Sequence, residues 1–217
     1  MIVVLLLLLT IPVGTAAAQA LDEGTFSIRR DGREVAREQF VLREGRGRGQ
    51  ESGSTITTTA WFGKGDSVRT FGAVLQRTPS GGLAAFQYDL PPGTPIRRIL
   101  AASDNGRLTV RSLGERSESA RQWPATLTTV LLADSVFALY RAVADFATTD
   151  GADLIAIFPR PGTRVRFTAT REVGNRPGGA VVHLRGGLNG TLTLGPANRL
   201  ERVDLPDRGI SAIRRPR

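Results

Sequence analysis

The sequence predicts a mainly β, α+β protein: an antiparallel curved sheet, half-barrel or barrel-like, with one amphipathic helix packed on its concave face. Three observations carry this expectation. About a dozen short segments alternate apolar and polar residues at 8–12-residue spacing, which suits sandwiches and barrels rather than βαβ units. Two connections, Arg30-Asp31-Gly32-Arg33 and Asp104-Asn105-Gly106, hold the dipeptides of tight hairpins. Only Leu131 to Ala147 has helical spacing, with Val136, Leu139, Tyr140, Val143 and Phe146/Ala147 at i, i+3, i+4 and i+7. A lone apolar stripe must be buried, and the sheet is the surface available to bury it.

Taken in order, MIVVLLLLLTIPVGTAAAQA at Met1 to Ala20 reads as a signal peptide. Its apolar run is too short to span a bilayer, and Ala18-Gln19-Ala20 is a small-x-small cleavage site. No basic residue precedes the run, which leaves an upstream start and a retained anchor open as alternatives. Residues 21–217 are then expected to form one β-rich domain, long enough to bury about 70% of its unfolded surface. The destination is the periplasm or the exterior.

Within that domain, Thr25 to Arg29 and Glu34 to Arg43 pair across Asp31-Gly32, with Ala36, Phe40 and Leu42 on one face. Glu44 to Gly53 is a glycine-rich loop. Ser54 to Phe62 is threonine-rich and β-favouring. Ser67 to Arg77 aligns Phe71, Ala73 and Leu75; Leu83 to Leu90 aligns Ala84, Phe86, Tyr88 and Leu90. Ile96 to Ala102 and Arg107 to Leu113 form a second hairpin, and polar Gly114 to Gln122 is expected to be exposed. Thr126 to Leu132 reads as a short strand feeding the helix, which Asp134 or Ser135 would cap. Asp153 to Phe158, Arg164 to Val173, Ala180 to Arg185, Thr191 to Leu194, Arg199 to Leu205 and Ile210 to Ile213 complete the sheet.

Composition excludes more chemistry than it suggests. The chain has no cysteine, which removes disulfides, thiol catalysis and a lipid-anchored cysteine. With one histidine and no zinc-type spacing, neither metal nor other cofactor is expected. The net charge of +9 comes from arginine, Lys64 being the lone lysine, and the arginines are scattered along strands. That pattern points to a solvated face, or to attraction toward an anionic envelope surface, and not to nucleic acid. Gly65-Asp66-Ser67-Val68 echoes the nucleophile block of GDS-type esterases, but His183 follows Ala180, so the Asp-x-x-His partner is missing. Asp150-Gly151-Ala152-Asp153 lacks the second residue of an aspartic-protease motif, and Asn189-Gly190-Thr191 reads as a turn before a glycosylation sequon.

Three stretches carry a likeness: FSIRRDGREVAREQFVLR at Phe26 to Arg43, LLADSVFALYRAVADF at Leu131 to Phe146, and LERVDLPDRGISAIR at Leu200 to Arg214. With them the layout resembles exported bacterial β-rich envelope proteins of the lipoprotein-carrier and lipoprotein-receptor half-barrel group and related families. The resemblance implies a non-enzymatic protein holding a lipid or other apolar ligand between sheet and helix. Trp61, Phe86, Tyr88, Trp123, Phe137 and Tyr140 are the aromatics expected to line such a site. A structural or protein-interaction module of the envelope is the alternative, and a hydrolase the second. Nothing in the sequence sets an oligomeric state.

Overall fold

A computed structural model describes residues 20–46, 52–63 and 65–216. The expectations for the leader up to Gln19 and for the tip of the glycine-rich loop lie outside the described residues. The chain forms β1 (Ala20–Arg30), β2 (Arg33–Arg46), β3 (Ser52–Phe62), β4 (Arg69–Arg77), β5 (Leu83–Asp89), β6 (Ile96–Asp104), β7 (Arg107–Gly114) and β8 (Glu118–Pro124). After these come β9 (Thr129–Leu131), the helix α1 (Tyr140–Phe146), β10 (Ala152–Phe158), β11 (Thr163–Val173), β12 (Ala180–Gly186), β13 (Gly190–Leu194), β14 (Leu200–Leu205) and β15 (Ile210–Arg214).

All fifteen described strands belong to one sheet, ordered β8-β7-β6-β5-β4-β3-β2-β1-β15-β14-β13-β12-β11-β10-β9. It consists of two antiparallel meanders zipped together where the first strand pairs with the last, Phe26 opposite Arg214 and Ile28 opposite Ala212. β9 is the exception, lying parallel to β10. The chain must therefore cross from one edge of the sheet to the other after β8. The sheet curls enough for β9 to pack against β5 without closing into a barrel.

Period-two alternation sets what lies inside. Phe26 and Ile28 of β1, Ala36, Phe40 and Leu42 of β2, Ile56 and Ala60 of β3, and Phe71, Ala73 and Leu75 of β4 are buried on the inner face. The hairpin dipeptides behave as expected: Asp31 and Gly32 have φ of 49° and 78°, Asn105 and Gly106 48° and 75°. Two positive φ values in succession match the twist of a tight hairpin.

The crossing segment fills the concavity. Val130 to Ala133, Val136 to Tyr140 and Ala142 to Ala144 are all buried, with Leu131, Leu132, Val136, Leu139, Val143 and Ala144 fully so. The helix is shorter than its apolar spacing predicts. It starts at Tyr140, not near Val136, and neither Asp134 nor Ser135 caps it. Ala133 instead bridges back to Val136 in a tight turn. The first helical bonds run from Tyr140 N–H to Phe137 O (3.0 Å) and from Arg141 N–H to Ala138 O (3.1 Å). The N–H groups of Phe137 and Ala138 are satisfied from another strand, as described below. The polar stretch from Gly114 to Gln122 is exposed over nearly all its length as expected, and Glu118–Pro124 pairs as an edge strand on β7.

Candidate functional site

Among the polar groups that interrupt the apolar interior, two features involve the first half of the segment that fills it. The first is Glu38. Ladder parity puts it on the inner face of β2, between Ala36 and Phe40, and it is fully buried. Its carboxylate accepts from Phe137 N–H (2.8 Å), Ala138 N–H (3.0 Å) and the Thr58 hydroxyl (2.5 Å). It thus does from β2 what a local capping residue would do for the opening turn of α1. Burial pushes the Glu38 carboxyl up to about 7 against the opposing pull of the three donors. Thr58 Oγ1 also lies 3.1 Å from the Gln39 carbonyl. A protonated Glu38 can therefore donate to Thr58, which turns its own hydrogen to Gln39. Both protonation states find partners, so the group anchors the segment either way.

The second feature is a mouth where the filling segment meets the end of the sheet. Ala133, Asp134, Phe137 and Tyr140 line one side; Arg30, Leu205, Arg208 and Ile210 line the other, around a cavity of about 280 Å³. The sheet side is held together by Asp31 N–H donating to Gly209 O (2.9 Å), which ties the β1–β2 turn to the β14–β15 turn. Arg208 donates to Asp134 Oδ1 (2.7 Å) and stacks 4.7 Å over the Phe158 ring. Tyr140 is 1% exposed, and its hydroxyl finds no hydrogen-bond partner among the described residues. Burial raises this phenol well above its ordinary range, with the Arg208 charge opposing and the Asp134 charge assisting. It stays a donor at any physiological pH. Tyr88 shares the condition: its hydroxyl makes no bond of ordinary geometry although Ser135 lies beside it, and burial pushes it up to about 12.

The expected aromatics separate into four places. Phe137 and Tyr140 stack with ring centroids 6.2 Å apart and line the mouth together. Phe86 and Tyr88 are buried on the inner face of β5, Tyr88 stacking on Phe71 at 6.3 Å. Trp123 is half-buried at the β8 edge opposite Leu108, and Trp61 is half-buried on the outer face opposite Arg37. Between sheet and helix the interior is otherwise packed: the void beside Phe40, Leu42, Ile56 and Ala138 measures about 10 Å³, below what one water needs.

The largest hollows, about 670 and 710 Å³, lie on either side of Arg214 to Pro216 and hold six arginines between them. Five of the six have carboxylate partners. Arg37 and Arg215 share Glu34, Arg202 pairs with Asp204, Arg214 with Asp22, and Arg176 approaches Glu201 at 3.7 Å. His183 Nε2 lies 3.3 Å from Glu172, and Gly65–Ser67 forms a 3-10 turn between β3 and β4. Asp153 accepts from the Thr168 hydroxyl (2.8 Å). Among the described residues, no three His, Cys, Asp or Glu side chains gather as a metal site.

The residues that build the mouth and its anchor beyond Phe137 and Tyr140 were not singled out by sequence. Glu38, Arg30 and Arg208 sit in strands or turns that read as scaffold. Compared with protein-family models, curated proteins and solved structures, the chain finds no match.

Proposed function

We propose that this chain is an exported, non-enzymatic protein of the cell envelope that holds one small amphipathic ligand at the mouth between Ala133–Tyr140 and the ends of β1, β14 and β15. The observation that carries the reading is the Tyr140 hydroxyl, buried and unmatched beside a cavity of about 280 Å³. A buried hydroxyl without a partner costs about 1–3 kcal/mol, and a molecule seated in the adjoining cavity would supply the missing bond. The lining offers donors and apolar walls, a combination for holding a molecule rather than transforming it. The volume lies just under the usual 300–1,000 Å³ range of ligand pockets, so the occupant is small or inserts one end only.

A second reading has its own observation. Among the described residues strand β8 pairs with β7 alone, and its side chains are exposed except at Trp123, so its outer edge suits strand addition by another protein. Native mass spectrometry of protein purified without detergent separates the two. The ligand reading expects one bound small molecule, absent from Ile210→Trp and Arg30→Trp variants that block the mouth. A bound species retained in both folded variants refutes that location. A bare protein whose melting temperature is unmoved by a panel of short amphiphiles refutes the reading itself.

A further inference from the structure

Resting on that reading, the chemistry of the mouth identifies the head group of its ligand. The polar groups around the cavity are unbalanced. Arg30 and Arg208 can only donate, the buried Tyr140 hydroxyl has an unused proton to donate, and Asp134 is the one carboxylate among the lining residues. Arg30 has no ion-pair partner among the described residues. Arg208 uses a single N–H on Asp134, and its guanidinium carries further donors. A ligand that completes this set must bring acceptors.

The energetics favour exchange at Arg208. Its pair with Asp134 is 35% and 47% exposed, and an ion pair in such surroundings contributes about 0–1 kcal/mol. A ligand anion that replaces Asp134 therefore displaces little. It meets a guanidinium whose position is already set by the Phe158 ring, so little side-chain freedom is lost. With Asp134 displaced from Arg208, the ligand's second carboxylate oxygen is an acceptor for the Tyr140 hydroxyl, whose residue lines the same cavity. The rest of the lining, Ala133, Phe137, Leu205 and Ile210, is apolar. The volume equals that of about nine waters at ≈30 Å³ each, room for a short chain or one ring.

We infer that the mouth binds a small monocarboxylate, its carboxylate bridging Arg208 and the Tyr140 hydroxyl with Arg30 at the rim, and its apolar tail lying against Phe137 and Ile210. Asp134 is then a latch that occupies Arg208 when the site is empty.

The test is calorimetric titration with sodium hexanoate and 1-hexanol at one fixed ionic strength. Hexanoate is expected to bind wild-type protein at least tenfold more tightly than hexanol. Arg208→Gln removes that preference, while the same change at exposed Arg116 leaves it intact and so excludes attraction by net charge alone. Tyr140→Phe weakens hexanoate about fivefold without lowering the melting temperature, an outcome a purely structural tyrosine would not produce. Asp134→Asn strengthens hexanoate several-fold by unlatching Arg208. Equal binding of hexanoate and hexanol, with both lost in Ile210→Trp, overturns the anion while leaving the ligand site standing. Binding of neither probe overturns both.

Discussion

Replacing Glu38 with glutamine should flatten a specific part of the pH dependence of stability. The folded carboxyl titrates at about 7 and the unfolded one near its ordinary 4.5. Between those values the native state holds the proton and the unfolded state does not, so stability falls as pH rises. The contribution is complete below about pH 4.5 and lost as pH climbs through about 7. At about 1.4 kcal/mol per pH unit across that window, it amounts to about 3 kcal/mol. Glu34, held down to about 2 by the Ser27 hydroxyl and by Arg37 and Arg215, acts in the opposite sense and lower window. Its stabilisation is present above 4.5 and lost as pH falls toward 2. Urea denaturation of wild type and Glu38→Gln from pH 5 to 8 isolates the Glu38 component as a difference. The amide matches Thr58 but leaves one of the two backbone N–H groups without an acceptor, so the variant should be about 1–3 kcal/mol less stable at pH 5. The gap should narrow, and can invert, by pH 8. Two parallel stability curves would refute the assignment of Glu38 as a buried group titrating near neutrality.

Four further outcomes are expected. Leu139→Ala should cost about 2–5 kcal/mol by urea denaturation, since Leu139 is fully buried where the filling segment meets the sheet. Arg214→Met should cost about 3–5 kcal/mol, because it strands the Asp22 carboxylate, 6% exposed, at the seam between first and last strands; adding Asp22→Asn should recover much of the loss. His183→Ala, on the outer face, should leave stability within about 0.5 kcal/mol and hexanoate affinity within about twofold. On the proposed export, amino-terminal sequencing of the mature protein should begin at Leu21, whereas a sequence beginning at Met1 would remove cleavage at Ala20.

The sheet was legible because local chemistry specifies it. Asp31-Gly32 and Asn105-Gly106 dictate their turns, and alternation in β1 to β5 separates inner from outer residues. The exposure of Gly114 to Gln122 was legible in its polarity, but its pairing as strand β8 was not, because an edge strand that buries little beyond Trp123 shows no alternation. The start of the helix was misread because its cap is not local. The spacing around Val136 is helical, but the acceptor for Phe137 N–H lies 99 residues earlier in β2. One signal was available. Glu38 shares parity with Ala36, Phe40 and Leu42, and a carboxylate in that row had to meet donors inside. Trp61 and Phe62 show the converse. Adjacent strand residues face opposite ways, so Phe62 packs on Phe71 while Trp61 faces out. The mouth depended on pairs remote in sequence, Arg208 with Asp134 foremost, that no local pattern marks.

The central claim is that the segment from Val130 to Ala147 fills the concave face and leaves a ligand only the mouth beside Tyr140. Intermolecular NOEs from bound hexanoate to protein methyl and ring protons test this most directly. Contacts to Ala133, Phe137, Leu205 and Ile210 are predicted. Contacts to Leu42 and Ile56 in the interior, or to Val181 and Ile213 on the outer face, would contradict it.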